Sequence, residues 1–345
     1  MQAQCSGTTL DQLDDWRAQA ITLEQQLARV VLGQERIIRL LCIAIFARGH
    51  VLLEGDVGLG KTVLLRSVAQ ALGGAYSRVE GTIDLMPADL VYYTYLDEKG
   101  QPAVKPGPVL QHGDQLSVFF FNEINRARPQ VHALLLRLMA ERSLNAFNQD
   151  YYFPHLQVFA DRNQVEKEET FELPAAARDR FFMEIRVEAP RDTSIRKQLI
   201  FDTRFHDVDT LIQTIPAGLV DYQQLGHIAQ QIQQHIHVSP VLEDYVLRLW
   251  HALRHPHQEN IALSGVDMHS LVAGGASPRG MAMLVRAAKV RAWLEGHTIV
   301  LPEDIRAVFY ETVAHRLFLD PLYAMQQEQI LPALCDAILQ QVPTP

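Results

Sequence analysis

The sequence predicts an α/β domain built on a parallel β-sheet, followed by a smaller all-helical domain. Three observations carry this. Between residues 21 and 189, short apolar runs of β-propensity alternate with stretches of helical periodicity, the pattern of strand–helix–strand units. Within that stretch a glycine-rich run, Gly55 to Thr62, stands between a strand and a helix. After Pro190 strand signals largely stop and helical periodicity takes over. The expected divisions are a polar N-terminal extension at 1–20, an α/β core at 21–189 and a helical domain at 190–345.

Taken in order, Ile21 to Phe46 is helical in pattern, interrupted at Leu32-Gly33-Gln34. His50 to Glu54 reads as a short buried strand, and Val63 to Leu72 as a helix closed by Gly73-Gly74. Ala75 to Val79 suits a second strand. Val91 to Tyr95 and Pro102 to Lys105 flank Asp97-Glu98-Lys99-Gly100, a turn sequence, so a β-hairpin is expected near 91–108. Ser117 to Asn122 is an apolar run ending in a polar residue. That suits a central parallel strand delivering a side chain at its C-terminal edge. Val131, Leu134, Leu135, Leu138 and Met139 share one helical face. Leu156 to Ala160 and Phe181 to Val187 are two more strand candidates. Beyond 190, helices are expected at Leu225 to His237, Val241 to Leu253, a stretch opening on Ser277-Pro278, and Pro302 to Leu317. Ser is a good cap and Pro suits a first turn, whereas Leu301 is a poor cap. Pro256 to Gly275 reads as a long loop with some local structure.

The run Gly55-Asp56-Val57-Gly58-Leu59-Gly60-Lys61-Thr62 fits G-x-x-x-x-G-K-[ST], the phosphate-cradling P-loop. Glycines let backbone N–H groups turn toward phosphates, and the helix N-terminus adds a favourable dipole. Lys61 can reach the β- and γ-phosphates, and the Thr62 hydroxyl can ligate Mg²⁺. ATP and Mg²⁺ are therefore the expected ligands. No N-K-x-D run is present to read guanine. Hydrolysis needs further groups at the third strand edge, where Asn122-Glu123 stands. Glu123 can act as base or water-positioner. Asn122 occupies the place where such pairs usually hold Asp; it can offer a carbonyl oxygen to a metal-bound water but brings no charge. Asn122→Asp is accordingly expected to raise activity or Mg²⁺ affinity. A variant without gain points to another carboxylate, with Asp84 and Glu54 the first to test.

In these motifs the chain resembles the MoxR-type AAA+ ATPases. The resemblance rests on Gly58-Leu59-Gly60-Lys61-Thr62, Asn122-Glu123-Ile124-Asn125-Arg126-Ala127, Leu173-Pro174 with Asp179-Arg180-Phe181, and Gly275-Ala276-Ser277-Pro278-Arg279, in matching order over about residues 25–320. It implies a three-layer P-loop core with a hairpin insertion, followed by an all-α lid domain. It implies further roles. Val31-Leu32-Gly33-Gln34 resembles the segment lying near the adenine. Asn163 matches the sensor that positions the attacking water, although its neighbours Arg162 and Gln164 depart from the family's Gln and Pro. Arg180 matches the arginine finger that reaches a neighbouring subunit's γ-phosphate, with Arg178 as rival. Arg279 matches the lid-borne sensor arginine. Similar proteins form hexameric rings, act with partners carrying a von Willebrand factor A domain, and assist maturation or metal insertion of other protein complexes. The replacement at Asn122 keeps a second reading open, a nucleotide-gated adaptor with slow turnover.

Composition narrows the setting. The 345 residues, 48% hydrophobic and 21% charged, supply a large core. A net charge of −9 argues against a protein that coats nucleic acid. Cys5, Cys42 and Cys335 are far apart, which suits reduced thiols. The first twenty residues lack an apolar signal core, and Leu40 to Ala47 is too short to span a bilayer. A cytoplasmic location without membrane insertion is expected. His132 and His155 lack metal-ligand spacing. Tyr92, Tyr93 and Tyr95 suit either a contact surface or hairpin packing.

Overall fold

The structure, a computed structural model, describes residues 4–163 and 171–345. Two compact units emerge. One holds Ala18–Phe181 and Ile185–Gly226; the other holds His227–Pro345, Phe182–Glu184 and the start of the chain up to Arg17.

Helix α1 (Gln4–Val30) takes in most of the stretch expected as an extension. It ends just before Gly33, whose φ of +71° turns the chain into α2 (Glu35–Phe46). A side chain at Gly33 would meet Pro190 Cβ at 3.0 Å, so both the turn and the space require glycine. Helix α2 buries residues on nearly every face, as a helix inside a core does. Strand β1 (Val51–Glu54) leads through the glycine-rich run into α3 (Lys61–Leu72), which stops at Gly73 and Gly74, both at positive φ. Strand β2 (Ala75–Glu80) follows, then the short α4 (Pro87–Val91). The expected hairpin forms from β3 (Tyr92–Leu96) and β4 (Pro102–Pro106). Its turn is held by Asp97, whose carboxylate accepts the Lys99 and Gln101 N–H groups at 2.9 and 2.8 Å.

Strand β5 (Leu116–Asn122) is buried at every position, and α5 (Pro129–Glu141) turns Val131, Leu135, Leu138 and Met139 inward. A second hairpin, β6 (Ser143–Ala146) with β7 (Gln149–Tyr152), was not expected from the sequence. Its two-residue turn puts Phe147 and Asn148 at φ +53° and +57°, the backbone of a tight hairpin turn. Phe147 is an uncommon residue there, so the usual Asn-Gly signal is missing. The core closes with β8 (Gln157–Arg162), α6 (Ala175–Arg178), β9 (Met183–Arg186), α7 (Thr193–Phe201) and α8 (Val208–Gln213). The five-stranded sheet runs β2-β5-β8-β1-β9, with β2, β5, β8 and β1 parallel.

The boundary differs from the expected one near 190, because residues up to Gly226 belong with the core. The physical reason lies at the end of α3. Gly218, Val220 and Tyr222 donate their N–H groups to the carbonyls of Gln70, Ala71 and Leu72 at 3.1, 3.1 and 3.3 Å. Those carbonyls have no partner within the helix, and residues 218–222 satisfy them. Such a backbone match leaves no trace in composition.

The second unit contains α9 (Leu225–His235) from His227 onward, α10 (Pro240–Arg254), α11 (Pro278–Leu294), α12 (Pro302–Val313) and α13 (Gln327–Gln341). It also carries a two-stranded ribbon, β10 (Val272–Gly274) with β11 (Phe318–Leu319), within the stretch expected to be all-α. The start of the chain joins this unit through the Trp293 indole, which donates to the Leu13 carbonyl at 3.0 Å. At α12 the weakness of Leu301 as a cap is offset by Asp304, whose carboxylate accepts the Leu301 N–H at 2.8 Å. At α11 Ser277 Oγ accepts the Gly280 N–H at 3.1 Å. Ser277→Ala should cost about 1 kcal/mol of stability, read as a lower denaturation midpoint of this unit. Among the described residues no helix is long and apolar enough to cross a membrane.

Candidate functional site

The C-terminal ends of β1, β5 and β8 bring together most of the residues expected to act. This edge of a parallel sheet is where ligands sit in open α/β folds. Gly55 leaves β1 so close to Val187 that a side chain would approach its carbonyl oxygen to 2.5 Å. Asp56 and Val57 form the exposed outer curve, with Val57 69% exposed, and Leu59 is half-buried. Gly58 and Gly60 adopt φ of +82° and +80°, and open space lies where their side chains would be. The loop therefore presents bare backbone, as phosphate binding requires. Thr62 follows in the first turn of α3.

Lys61 is buried, and its Nζ donates to the Gly55 carbonyl at 2.5 Å and lies 2.9 Å from Asp161 Oδ2. Asp161 is only 2% exposed, and its other oxygen accepts the Glu123 N–H at 2.6 Å. Sequence reasoning missed this carboxylate. Its signal was available: Val158-Phe159-Ala160-Asp161 repeats the pattern of Phe119-Phe120-Phe121-Asn122, an apolar strand ending in a polar residue. The two carboxylates named from sequence sit otherwise. Glu54 pairs with Arg162 at 2.6 Å, and Asp84 is exposed.

Asn122, at the end of β5, donates its amide to Glu80 Oε1 on β2 at 2.5 Å. Glu123 sits at φ +52°, a left-handed conformation that costs a non-glycine residue free energy and is held where surrounding structure enforces it. Its carboxylate pairs with Arg126 at 2.8 Å. Asn163 is buried just beyond β8, and its carbonyl accepts from the Asn125 amide at 3.3 Å. Gln164, its neighbour, lies outside the described residues. Arg180 follows α6, partly exposed, with Nη1 donating to the Ala176 carbonyl at 2.8 Å. Arg178 is half-buried at the end of α6. Arg279 lies exposed in the first turn of α11 in the other unit.

Beside Gly58 and Gly60 opens a cavity of about 440 Å³, lined by Val30, Val31, Leu59, Val63, Ile200 and Leu211 among others. That volume and its mostly apolar lining suit a planar base. Gln34 borders it, and its amide donates to the Glu188 carbonyl at 2.7 Å, which pins the side chain at the rim. The donor set near the loop is made of hard oxygens, the Thr62 hydroxyl and nearby carboxylates, which fits Mg²⁺. Among the described residues no group of three or more His, Cys, Asp or Glu side chains could hold a metal. Mg²⁺ is ordinarily bound through one or two side chains plus phosphates, so this is no obstacle.

The side chains set aside on sequence grounds have structural explanations. His132 Nε2 pairs with the Ile124 carbonyl at 2.7 Å, and burial lowers its pKa. His155 packs edge-on against Tyr222. The tyrosine cluster divides: Tyr92 packs on Phe147 at 5.3 Å, whereas Tyr93 and Tyr95 are exposed.

Residues 50–183 match the family described as "ATPase family associated with various cellular activities (AAA)", and residues 267–334 match the AAA lid domain. Protein MoxR of Methylorubrum extorquens is 63% identical over 333 residues, covering 96% of this chain and 97% of that protein. Chaperone MoxR1 of Mycobacterium tuberculosis is 31% identical, covering 95% and 84%. A solved protein of Cytophaga hutchinsonii superposes with a TM-score of 0.84 at 28% identity, over 100% of this chain and 99% of the other.

Proposed function

Since the chain belongs to the MoxR family of AAA+ ATPases, we propose that it is an oligomeric ATP-driven chaperone that remodels other proteins. The observation that carries this reading is the P-loop beside the apolar cavity, with two glycines of open backbone and a buried lysine. The base would occupy the cavity by Gln34. The loop from Gly55 to Gly60 and the start of α3 would hold the phosphates through backbone N–H groups. Lys61 would leave its resting partners for the β- and γ-phosphates. Thr62 would hold Mg²⁺, which when bound offsets phosphate charge; Asn122 is the further candidate named from sequence.

Glu123 would take the proton of the attacking water on its carboxylate. That oxygen first has to leave Arg126, so the resting pair keeps the base occupied. Asn163 would orient the water. Arg180 would reach the γ-phosphate of the neighbouring subunit, which makes a ring part of the active form. A planar, permanently charged guanidinium suits this work. Arg279 would report nucleotide state to the lid. A hexamer, a cytoplasmic location, a partner with a von Willebrand factor A domain, and clients helped in maturation or metal insertion are supported by the motif resemblance. The chaperone reading is supported by the name of the mycobacterial relative.

A second reading is favoured by two observations together: Asn122 brings no charge, and Glu123 is paired at rest. It makes the chain a nucleotide-gated adaptor. Steady-state ATP hydrolysis with Mg²⁺ separates the two. Continuous turnover of many ATP per chain is expected for the remodelling ATPase. Tight binding with a single round of hydrolysis that then stops would favour the adaptor.

A further inference from the structure

We infer that Asp161 supplies the carboxylate that Asn122 does not, holding the hydration shell of the nucleotide's Mg²⁺ from the neighbouring strand. The inference rests on the nucleotide site proposed above. Strands β5 and β8 are paired in parallel with Phe121 opposite Ala160. One residue further along each strand stand Asn122, the last of β5, and Asp161, the last but one of β8. The two side chains face different partners. Asn122 turns its amide toward Glu80 on β2. Asp161 turns Oδ2 toward Lys61 and Oδ1 toward the Glu123 N–H. The charge expected at the end of β5 thus stands one strand over, in contact with the P-loop lysine and with the backbone of the proposed base.

Electrostatics then sets what must happen when nucleotide binds. At rest Asp161 is 2% exposed and neutralised by Lys61. A buried carboxylate left without a counter-charge costs several kcal/mol. Lys61 moves to the phosphates on binding, so Asp161 loses its partner at that moment. Another cation has to replace it, and the hydrated Mg²⁺ arriving with the phosphates, beside Thr62, is the one at hand. A carboxylate accepting from a metal-bound water makes a charge-assisted hydrogen bond, stronger than a neutral amide can make. The hydrogen bond from the Glu123 N–H gives Asp161 a second task, because it sets the backbone of the proposed base relative to that same carboxylate. Neither Glu54, already paired with Arg162, nor exposed Asp84 touches the lysine.

The test is calorimetric titration of ADP across Mg²⁺ concentrations, with an EDTA arm, so that the readout is metal dependence rather than turnover. Asp161→Asn should bind ADP in EDTA at least as tightly as the natural chain does, because Lys61 no longer has to leave a buried carboxylate, yet require about 10- to 100-fold more Mg²⁺ for the metal-dependent gain in affinity. The exchange variant Asn122→Asp/Asp161→Asn, which returns the charge to β5, should recover most of that loss. Asp161→Thr gives the same reading should the asparagine form fail to fold. Unchanged Mg²⁺ dependence in the single variants would overturn the inference, as would an exchange variant no better than Asp161→Asn. If the natural chain binds no ADP with or without Mg²⁺, the nucleotide site itself is wrong, a result distinct from either.

Discussion

Arg180→Ala is expected to leave each subunit able to bind ATP while lowering turnover by about 10³–10⁵-fold, the contribution of such arginines in related phosphoryl-transfer sites. In one chain Arg180 is partly exposed and rests on the Ala176 carbonyl. That is a weak, solvent-facing hold on a side chain that could serve a neighbour. Mixing makes the trans assignment testable. Subunits with Arg180→Ala are combined with subunits carrying Glu123→Gln, each nearly inactive alone. An interface that joins an intact Glu123 to an intact Arg180 from another chain should recover part of the activity. Full activity in Arg180→Ala alone would move the finger elsewhere, with Arg178 the first candidate.

Lys61→Ala is expected to weaken ATP binding by about 10- to 100-fold, because a charge-assisted contact of about 1.5–3 kcal/mol to the phosphates is lost. Calorimetry reads this directly. The same substitution leaves buried Asp161 without its counter-charge, at a cost of about 3–5 kcal/mol to the fold. Melting curves therefore accompany the titration. The double variant Lys61→Ala/Asp161→Ala removes both members of the pair and should recover stability without recovering affinity. Unchanged affinity in Lys61→Ala would reject the P-loop assignment while leaving the fold untouched.

The parts of the molecule legible in the sequence are those governed by local rules. The P-loop is one: glycines take the positive φ at positions 58 and 60 without steric cost and leave their surroundings open. The strands are another, since runs such as Ser117 to Asn122 are buried on both faces and so continuously apolar. The hairpin turn at Asp97 and the Ser277 cap follow from side chains bonding their own backbone.

What stayed hidden depends on contacts between distant segments. The unit boundary lies past Gly226 because residues 218–222 close the end of α3, and nothing near 190 or 226 announces it. The hairpin at Phe147-Asn148 is not legible because a positive φ on phenylalanine runs against residue preference. Its ring packs on Tyr92 from the other hairpin. The role of Asp161 is hidden in the sequence for a related reason. It becomes meaningful only when strand order places β8 beside β5 and between it and β1.

Whether the site is shared between subunits is tested most directly by the rate of ATP hydrolysis per chain, followed across protein concentration with particle mass recorded in the same samples. The expected result is a per-chain rate near zero in dilute, monomeric solution, climbing to a plateau as rings assemble. A per-chain rate that stays constant down to concentrations where the chain is monomeric would contradict it.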